Sequence, residues 1–349
     1  MFGSSVINRS HTLFSALKLM DELKKKVLFI VESDNTFIGV LSLGDIQRAI
    51  INKHPLDTMV VDILRKHITI ANDSQSFEEI KNLMVSKRVE AMPVVDSSGF
   101  LKRVIYWEDI MPEEEVNVRV NLDLPVVIMA GGKGSRLRPI TNVLPKPLIP
   151  IGNKTMIEDI MDSFLKFGCD RFFISVNYRA EMIKYYLDSQ TEIKYNVEYF
   201  QEPIPLGTAG SLHLLSDSIK ETFFVSNCDI MIMDDYSEIL KYHKENNNEL
   251  TVVAALKSFK IPYGTVETGN DGILDKLVEK PELTYLINTG LYILEPHLIN
   301  EIPQNEFYHI TTLIEKLRTE NRRVGVFPVS ENSWIDIGEW PEYLSRINE

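Results

Sequence analysis

The sequence predicts an α/β protein in which a domain with a mainly parallel sheet follows a shorter tandem repeat. Residues 6–46 and 70–110 carry the same β-α-β-β-α pattern at an offset of 64 residues. From residue 125 onward, short apolar runs alternate with stretches of helical period. A loop rich in glycine and basic residues directly follows the first of those runs. The length of 349 residues leaves room for two domains.

In each copy of the repeat, a helical-period stretch precedes two strands that are joined by a polar turn. The predicted strands are Val27–Val31, Phe37–Leu41, Met92–Val95 and Leu101–Ile105. Each second strand leads into a helix that we expect to open at Asp45 or at Asp109. These aspartates have an ordinary structural interpretation, since a carboxylate at a helix start satisfies free N–H groups.

The string GVLSLGDI at 39–46 resembles the second strand and helix start of cystathionine-β-synthase (CBS) domain pairs. In that family a Ser or Thr, and an Asp three residues later, bind the ribose of an adenine nucleotide. The resemblance implies Ser42, Asp45 and Asp109 as ligand residues. Tyr106 replaces the hydroxyl residue in the second copy and departs from the pattern. Such pairs commonly dimerise, which implies a homo-oligomer, and the pair is a candidate for a regulatory domain.

We place the CBS pair at 1–115, with repeats at about 1–55 and 60–112. The acidic string MPEEEVNVRVNLDL at 111–124 lacks a helical stripe, which predicts a linker over 116–124 and a second domain over 125–349.

Composition excludes several classes of partner. The formal net charge of -13 opposes a global nucleic-acid surface. The two cysteines form no CxxC, which favours a reducing compartment. The apolar runs are too short to span a bilayer, and the N-terminus lacks a signal-peptide pattern. We therefore expect a cytoplasmic protein without nucleic-acid or membrane partners.

The second domain alternates strands with helices, and ligands of such sheets bind beyond the carboxyl ends of the strands. The predicted strands are Val126–Met129, Arg171–Val176, Val197–Phe200, Phe223–Ser226 and Leu250–Ala255, and helices are predicted at 155–167, 179–188, 208–218 and 236–246.

The loop AGGKGSRLRP at 130–139 leaves the first strand and fits neither GxxxxGK[ST], GxGxxG nor GxSxG. Its glycines allow backbone N–H groups to approach a ligand closely. Arg136 can bind phosphate oxygens with its planar fork, and Lys146 lies between two prolines that stiffen its segment. Together they suit a polyphosphate. A plain glycine turn with solvated cations is the alternative.

Five blocks in order resemble the sugar-1-phosphate nucleotidyltransferases. They are AGGKGSRLRP with PKPLIPI, QEPIPLGTAGSL at 201–212, FVSNCDI at 224–230, VEKP at 278–281 with NTGLYIL at 288–294, and WIDIGEWPEY at 334–343. The resemblance implies a Rossmann-like, glycosyltransferase-A-like fold. It also implies a reaction in which a sugar 1-phosphate attacks the α-phosphorus of a nucleoside triphosphate and pyrophosphate leaves.

The resemblance assigns roles to individual residues. Arg136 and Lys146 would be catalytic, on the β,γ-phosphates and the α-phosphate respectively, while Asp229 and Asp336 would hold Mg²⁺. Nucleotide binding is implied for Ala130, Gly131, Gly132, Gly134, Ser135, Arg136, Glu202, Gly207, Thr208 and Asn227. Sugar-phosphate binding is implied for Asn177, Gly264, Glu279, Lys280, Asn288 and Thr289.

Glu202 is a candidate acceptor for the two adjacent donors of guanine, which favours GTP, and an exposed Glu202 is the alternative. The string QEPIPLGTAG is similar to that of guanylyltransferases for mannose or heptose 1-phosphates. A CBS pair ahead of such a domain resembles the glucosamine-1-phosphate guanylyltransferases of legionaminic acid routes. The base is expected to meet the 201–210 block, where Gly207, Thr208 and Gly210 permit close backbone approach and a helix start would add N–H donors.

Two other functions stay open at this point. One is a non-catalytic nucleotide sensor. The other is a nucleotidyltransferase for another phosphorylated alcohol such as phosphocholine, which an aromatic cage would bind. Tyr263, Tyr285 and Trp334 are candidates for such a cage.

Overall fold

The computed structural model describes residues 4–66, 68–87, 89, 91–106, 121–190 and 195–347. The chain divides into two compact units, Met1–Val118 and Arg119–Glu349. Asp109 and the helix predicted after it lie outside the described residues, as do residues 116–120 of the expected linker. From residue 121 the chain packs on the second unit, because Leu122 N donates to Phe167 O at 2.8 Å and Leu124 is buried.

The first unit confirms the tandem repeat. Its first copy contains β1 (Val6–Asn8), α1 (Leu13–Leu23), β2 (Val27–Val31), β3 (Phe37–Ser42) and α2 (Leu43–Ile51). Its second copy contains β4 (Ala71–Asn72), α3 (Phe77–Lys87), β5 (Ala91–Val95) and β6 (Leu101–Tyr106). The bounds of α1, β2 and β3, moved by 64 residues, are the bounds of α3, β5 and β6. Each copy forms a three-stranded sheet with one parallel and one antiparallel pair.

The two copies bury their apolar sheet faces together. Phe29 and Val31 of the first copy pack with Val95 and Leu101 of the second. The turns also exchange backbone hydrogen bonds, and Leu101 N donates to Asn35 O at 3.1 Å. Each copy alone would leave this face in water, so the pair folds as one unit.

The N-cap of helix α2 lies three residues earlier than expected. Ser42, and not Asp45, is the N-cap residue, and Asp45 occupies the third helical position of a capping box. The Asp45 carboxylate is buried and also pairs with Arg48 and Arg65, at 2.5 and 2.8 Å. Burial by itself would raise the pKa of Asp45, but the hydrogen bonds from Arg65, Ser42 and Arg48 outweigh it and hold the pKa below its ordinary value.

The second unit contains thirteen described strands and five described α-helices. The strands are β7 (Val126–Met129), β8 (Pro150–Ile151), β9 (Lys154–Thr155), β10 (Arg171–Val176), β11 (Asn196–Gln201), β12 (Phe223–Asn227), β13 (Ile230–Ile232), β14 (Leu250–Lys260), β15 (Thr265–Thr268), β16 (Leu274–Val278), β17 (Glu282–Leu294), β18 (Val324–Ser330) and β19 (Trp334–Asp336). The helices are α4 (Met156–Leu165), α5 (Ala180–Ser189), α6 (Tyr236–Glu245), α7 (Ile310–Thr319) and α8 (Trp340–Ile347). Seven of the strands form the central sheet, in the order β11-β10-β7-β12-β17-β14-β18. In this sheet only β17 runs antiparallel to its neighbours, which confirms the mainly parallel sheet.

The central strands are apolar on both faces, as strands covered on both sides must be. All four residues of β7 are buried, and so are the first four of β12. Because β10, β7 and β12 are parallel neighbours, their carboxyl ends meet at one edge of the sheet. The glycine-rich loop, Asn177 and the Cys228-Asp229 pair all leave the sheet at this edge.

The α-helix predicted over 208–218 is wrong in type and extent. The segment forms a 3-10 helix, Gly210–Leu215. Its first N–H groups are already used elsewhere, since Ala209 and Gly210 both donate to Tyr308 O, at 3.1 and 3.0 Å. Glycines at 207 and 210 also have poor helix propensity.

Across the described residues, each helix is too short or too polar to cross a membrane.

Candidate functional site

A cavity of about 360 Å³ opens at the carboxyl edge of the sheet in the second unit. Most residues that the sequence singled out for phosphates and base line it: Gly131, Gly132, Gly134, Ser135, Arg136, Lys146, Glu202, Gly207, Thr208, Asn227 and Asp229. Sequence reasoning did not assign the remaining ones, which are Met129, Pro205, Cys228, Phe307 and His309.

Two glycines of the loop make room for other parts of the protein. A Cβ on Gly131 would lie 2.8 Å from Glu202 Oε1. Gly134 has a φ of +61°, and its Cβ would lie 2.8 Å from Thr141 Cγ2 and 3.0 Å from Lys146 Cβ. A Cβ on Gly132 would meet no atom within 4 Å, so a ligand has room to approach its backbone.

The loop has unpaired backbone N–H groups. Thr141 Oγ1 donates to Gly134 O at 2.8 Å, which ties the loop to the chain that follows it. Within the described parts of the chain, the N–H groups of residues 131–134 find no protein acceptor. Successive free N–H groups in a loop that lines a cavity can bind an anion.

The two cations of the site differ in their surroundings. Lys146 is buried in a 3-10 turn between Pro145 and Pro147, and its Nζ forms an ion pair with the Asp229 carboxylate. Arg136 is 62% exposed, and its Nη1 lies 3.2 Å from Glu339 Oε1. Because an exposed ion pair contributes little, Arg136 can leave Glu339 for a phosphate at small cost, whereas Lys146 is held in place.

The two predicted metal ligands meet through a short antiparallel pair. Asp229 precedes β13 and Asp336 ends β19, and Ile337 N donates to Asp229 O at 2.9 Å. A Cβ on Gly338 would lie 2.7 Å from Asp336 Oδ1 and 3.2 Å from Asp229 Oδ2. Burial, and then the charge of Asp229, raises the pKa of Asp336.

This pair of carboxylates fits Mg²⁺. The described residues contain no cluster of three His, Cys, Asp or Glu side chains arranged for a metal ion. Mg²⁺ does not need one, because it usually takes one or two carboxylates together with substrate phosphates and water. Two convergent carboxylates beside the anion loop match that requirement.

Cys228 lies next to Asp229 but is chemically quiet. Burial raises the pKa of its thiol to about 12, with a further contribution from the charge of Asp229. The side chain is therefore a protonated, small buried group and no nucleophile at neutral pH.

Glu202 is buried at 6% exposure, so the alternative of an exposed Glu202 is wrong. Ser175 Oγ donates to its Oε1, and Leu206 N donates to its Oε2 at 3.0 Å. Each carboxylate oxygen has two lone pairs and can accept a further hydrogen bond. The carboxylate is therefore a rigid, oriented acceptor at one end of the cavity.

The 206–210 loop pairs with a segment from about a hundred residues further on. Tyr308 N donates to Leu206 O at 2.8 Å, and Tyr308 O accepts from Ala209 and Gly210. A Cβ on Gly207 would lie 2.8 Å from Tyr308 O, and one on Gly210 would lie 2.7 Å from Glu306 O. These glycines therefore leave room for the 306–308 backbone. The N–H groups of 209 and 210, which were expected to face the base, donate to that backbone instead.

Four predicted residues lie outside the cavity lining and have internal partners. Ala130 N donates to Ser175 O at 3.1 Å. Asn177 Nδ2 donates to Glu202 O at 2.9 Å, which helps to place the acidic residue. Asn288 Nδ2 donates to Tyr292 OH at 2.9 Å, and Thr289 Oγ1 donates to Val253 O at 2.8 Å.

Three other predicted residues lie at the base of the β15–β16 ribbon and also do not line the cavity. A Cβ on Gly264 would lie 2.9 Å from Glu279 Oε2, so these two residues are neighbours. Lys280 follows with a φ of +46° and is exposed.

Comparison with known proteins agrees with this architecture. The nucleotidyl transferase family model matches residues 125–349, and the CBS domain model matches residues 5–52 and 60–114. A mannose-1-phosphate guanyltransferase of Saccharomyces cerevisiae is 33% identical over 231 residues, which are 63% of this chain and 62% of that protein. The catalytic subunit beta of a mannose-1-phosphate guanylyltransferase from Dictyostelium discoideum is 32% identical over 242 residues, 64% of each chain. This chain thus spans less than two thirds of the length of those curated relatives.

Among solved structures, HddC from Yersinia pseudotuberculosis complexed with GMP-PN superposes with a TM-score of 0.51 at 25% identity. The match covers 64% of this chain and 98% of HddC.

The close packing at Gly210 yields a stability prediction. Gly210→Ala should lower the free energy of unfolding by about 1–3 kcal/mol, the usual cost of overpacking, because the new Cβ meets the rigid Glu306 carbonyl. Gly132→Ala is the matched control and should stay within about 0.5 kcal/mol of the parent protein, since nothing surrounds that position. Urea unfolding followed by fluorescence measures both. Equal stability of the two variants would contradict the assigned role of Gly210.

Proposed function

Because the chain belongs to the nucleotidyl transferase family and carries a CBS domain pair ahead of the family's domain, we propose that it transfers GMP from GTP to a sugar 1-phosphate. The observation that best supports this function is that the buried Lys146 lies beside a loop of unpaired N–H groups, with two carboxylates at the same edge of the sheet. In this reaction an oxygen of the sugar phosphate bonds to the α-phosphorus, the bond between the α- and β-phosphates breaks, and pyrophosphate leaves.

The protein's task in such a transfer is to position the phosphates and stabilise their charge. The N–H groups of residues 131–134 cradle the triphosphate. Lys146, held between two prolines, reaches the α-phosphate, and Arg136 exchanges Glu339 for the departing pyrophosphate. Asp229 and Asp336 would hold Mg²⁺, which would supply positive charge to offset that of the phosphates.

The reaction needs no strong general base. The phosphate of a sugar 1-phosphate is already anionic at neutral pH and attacks without losing a proton to the enzyme. The protonated Cys228 thiol agrees with this, because the one thiol among the described residues that line the cavity is not prepared as a nucleophile.

Guanine is favoured by the fixed Glu202 carboxylate. Guanine presents N1–H and N2–H₂ side by side, and a carboxylate accepts both hydrogen bonds, whereas thymine or uracil offers one such donor. The guanylyltransferase names of the relatives and the GMP-PN bound to HddC support the same base.

For the sugar we propose the base of the β15–β16 ribbon, where Gly264, Glu279 and Lys280 gather. Glu279 would accept hydroxyl hydrogen bonds and Lys280 would neutralise the sugar phosphate. Glucosamine 1-phosphate is the proposed substrate, and mannose and heptose 1-phosphates are its rivals. The cage for phosphocholine finds less support, because Lys257 Nζ already lies over the Trp334 ring at 5.7 Å.

The direct test combines four nucleoside triphosphates with a panel of sugar 1-phosphates and phosphocholine and measures pyrophosphate release. We expect release with GTP and a sugar 1-phosphate in the presence of Mg²⁺, and its loss when the metal is chelated. A protein that binds GTP and releases no pyrophosphate with any acceptor would be a sensor and not an enzyme.

Lys146 supplies the sharpest catalytic prediction. Lys146→Met should lower kcat by at least about 10²-fold, the scale of removing one preorganised transition-state partner. Lys241→Met is the matched control, because it removes the same charge from an exposed position on α6 outside the cavity lining. Steady-state kinetics of folded, purified variants measure kcat for each substitution. Equal losses in both variants would reduce the effect to general electrostatics and contradict the assignment.

Glu202→Gln tests the choice of base. The amide replaces one acceptor by a donor that faces the guanine donors, so KM for GTP should rise about 10- to 100-fold. KM for the sugar 1-phosphate should not change, and the preference for GTP over ATP should shrink. An unchanged preference would remove Glu202 from base recognition.

We also propose that the CBS pair binds an adenine nucleotide through Ser42, Asp45 and Asp109 and thereby regulates the transferase. Asp45 is now engaged by Ser42, Arg48 and Arg65, but both arginines are more than half exposed and can turn towards a phosphate. Binding would therefore exchange one set of partners of Asp45 for another. Such coupling requires different nucleotide affinities in two states of the enzyme.

Asp45→Asn should abolish adenine-nucleotide binding measured by equilibrium dialysis, and with it any change that the nucleotide causes in kcat or KM. Asp96→Asn, which removes another ion-paired carboxylate of the first unit, should leave binding unchanged. A parent protein that binds no adenine nucleotide would overturn the regulatory proposal and leave Asp45 with its role in the capping box.

We further propose a homo-oligomer that works in the cytoplasm. The β15–β16 ribbon exposes Val266, Ile273 and Leu277 at 58%, 69% and 63%, and a two-stranded ribbon with an uncovered apolar face is marginally stable by itself. A second copy would cover it. Sedimentation velocity of the full chain measures the assembly, and a monomer at micromolar concentration would refute it.

The free buried thiols Cys169 and Cys228 suit a reducing compartment.

A further inference from the structure

We propose that Phe307 is the stacking platform for the nucleobase. The inference rests on the proposed function, since it assumes that a nucleoside triphosphate occupies the cavity. A base in a protein needs partners for its edge and for its flat face. Glu202 offers the edge partner. Among the described residues that line the cavity, the aromatic rings are those of Phe307 and His309.

The exposure of Phe307 is unusual. Its side chain is 62% exposed, more than that of any other phenylalanine in the described chain. Its ring meets His309 edge-to-face, with centroids 4.7 Å apart and an interplanar angle of 81°. Such a pair covers at most one face of the Phe307 ring, so the other face is available to a second flat group.

The platform is held in place by its own backbone. The next residue, Tyr308, accepts from Ala209 and Gly210 and donates to Leu206, which joins the segment to the loop at the base end of the cavity. Thr208 Oγ1 accepts from Ile310 N at 3.0 Å and lies 3.3 Å from His309 Nδ1. The backbone next to Phe307 is thus anchored before a ligand arrives, so less of the chain has to be ordered when a base stacks on the ring.

The two partners of the base should have separable effects. The Glu202 carboxylate reads the donors on the edge and sets the choice between guanine and adenine. A phenyl ring offers only a face, which every base can stack on, so it adds affinity without choosing among purines. His309 acts through Phe307 as a positioning residue, because its ring packs against Phe307 and its Nδ1 lies beside Thr208.

Kinetics of four variants test the platform. Phe307→Ala should raise KM for GTP about 10-fold, the scale of one base–aromatic contact, with kcat, KM for the sugar 1-phosphate and the GTP-to-ATP preference retained. Phe307→Leu should show most of this loss, whereas Phe307→Tyr should restore the parent KM. Tyr185→Ala removes an aromatic ring that is 79% exposed and lies outside the cavity lining, and should change nothing.

A binding measurement separates this inference from the proposed reaction. Phe307→Trp should gain tryptophan fluorescence that GTP quenches beyond any quenching of the parent protein. Quenching without pyrophosphate release would support the platform and refute the transferase. Turnover of the parent enzyme with an unchanged KM in Phe307→Ala, or full activity in Phe307→Leu, would overturn the platform and leave the transferase standing.

Discussion

The buried ion pair between Lys146 and Asp229 is the interaction on which the site depends. A buried charge is tolerable only when it is paired, and removal of one partner from such a pair costs about 3–5 kcal/mol. The pair ties the proline-stiffened segment to the exit of β12, and Lys146 Cβ lies against Gly134. This contact therefore links the glycine-rich loop, the segment that carries Lys146 and the Asp229 carboxylate.

Glycines distribute the space around that pair in a way that the sequence pattern does not reveal. Gly131 admits the Glu202 carboxylate, Gly134 admits Thr141 and Lys146, and Gly338 admits the two aspartates. Gly132 alone among the loop glycines has open space around it. Two of the three loop glycines thus leave room for neighbouring side chains, and the third leaves its backbone open to a ligand.

The proposed function divides its tasks along the sheet edge. Glu202 and the Tyr308-anchored segment would hold the base, the loop with Lys146 would hold the phosphates, and the ribbon that carries Glu279 would hold the sugar. Each part is attached to a different strand of one sheet, so the distances between them are set by rigid elements. Arg136 is the exception, because its exposed pair with Glu339 lets it respond to the ligand.

Local information sufficed for much of this protein. The repeat offset, the apolar strands, the glycine loop and the carboxylate after β12 are patterns within short windows, and period and residue chemistry are enough to recognise them. The burial of Glu202, the 3-10 helix at Gly210–Leu215 and the placement of Phe307 were decided by the tertiary structure. Backbone pairing of Tyr308 with Leu206, Ala209 and Gly210 consumes donors that a local reading leaves free, and only the folded sheet brings those distant segments together.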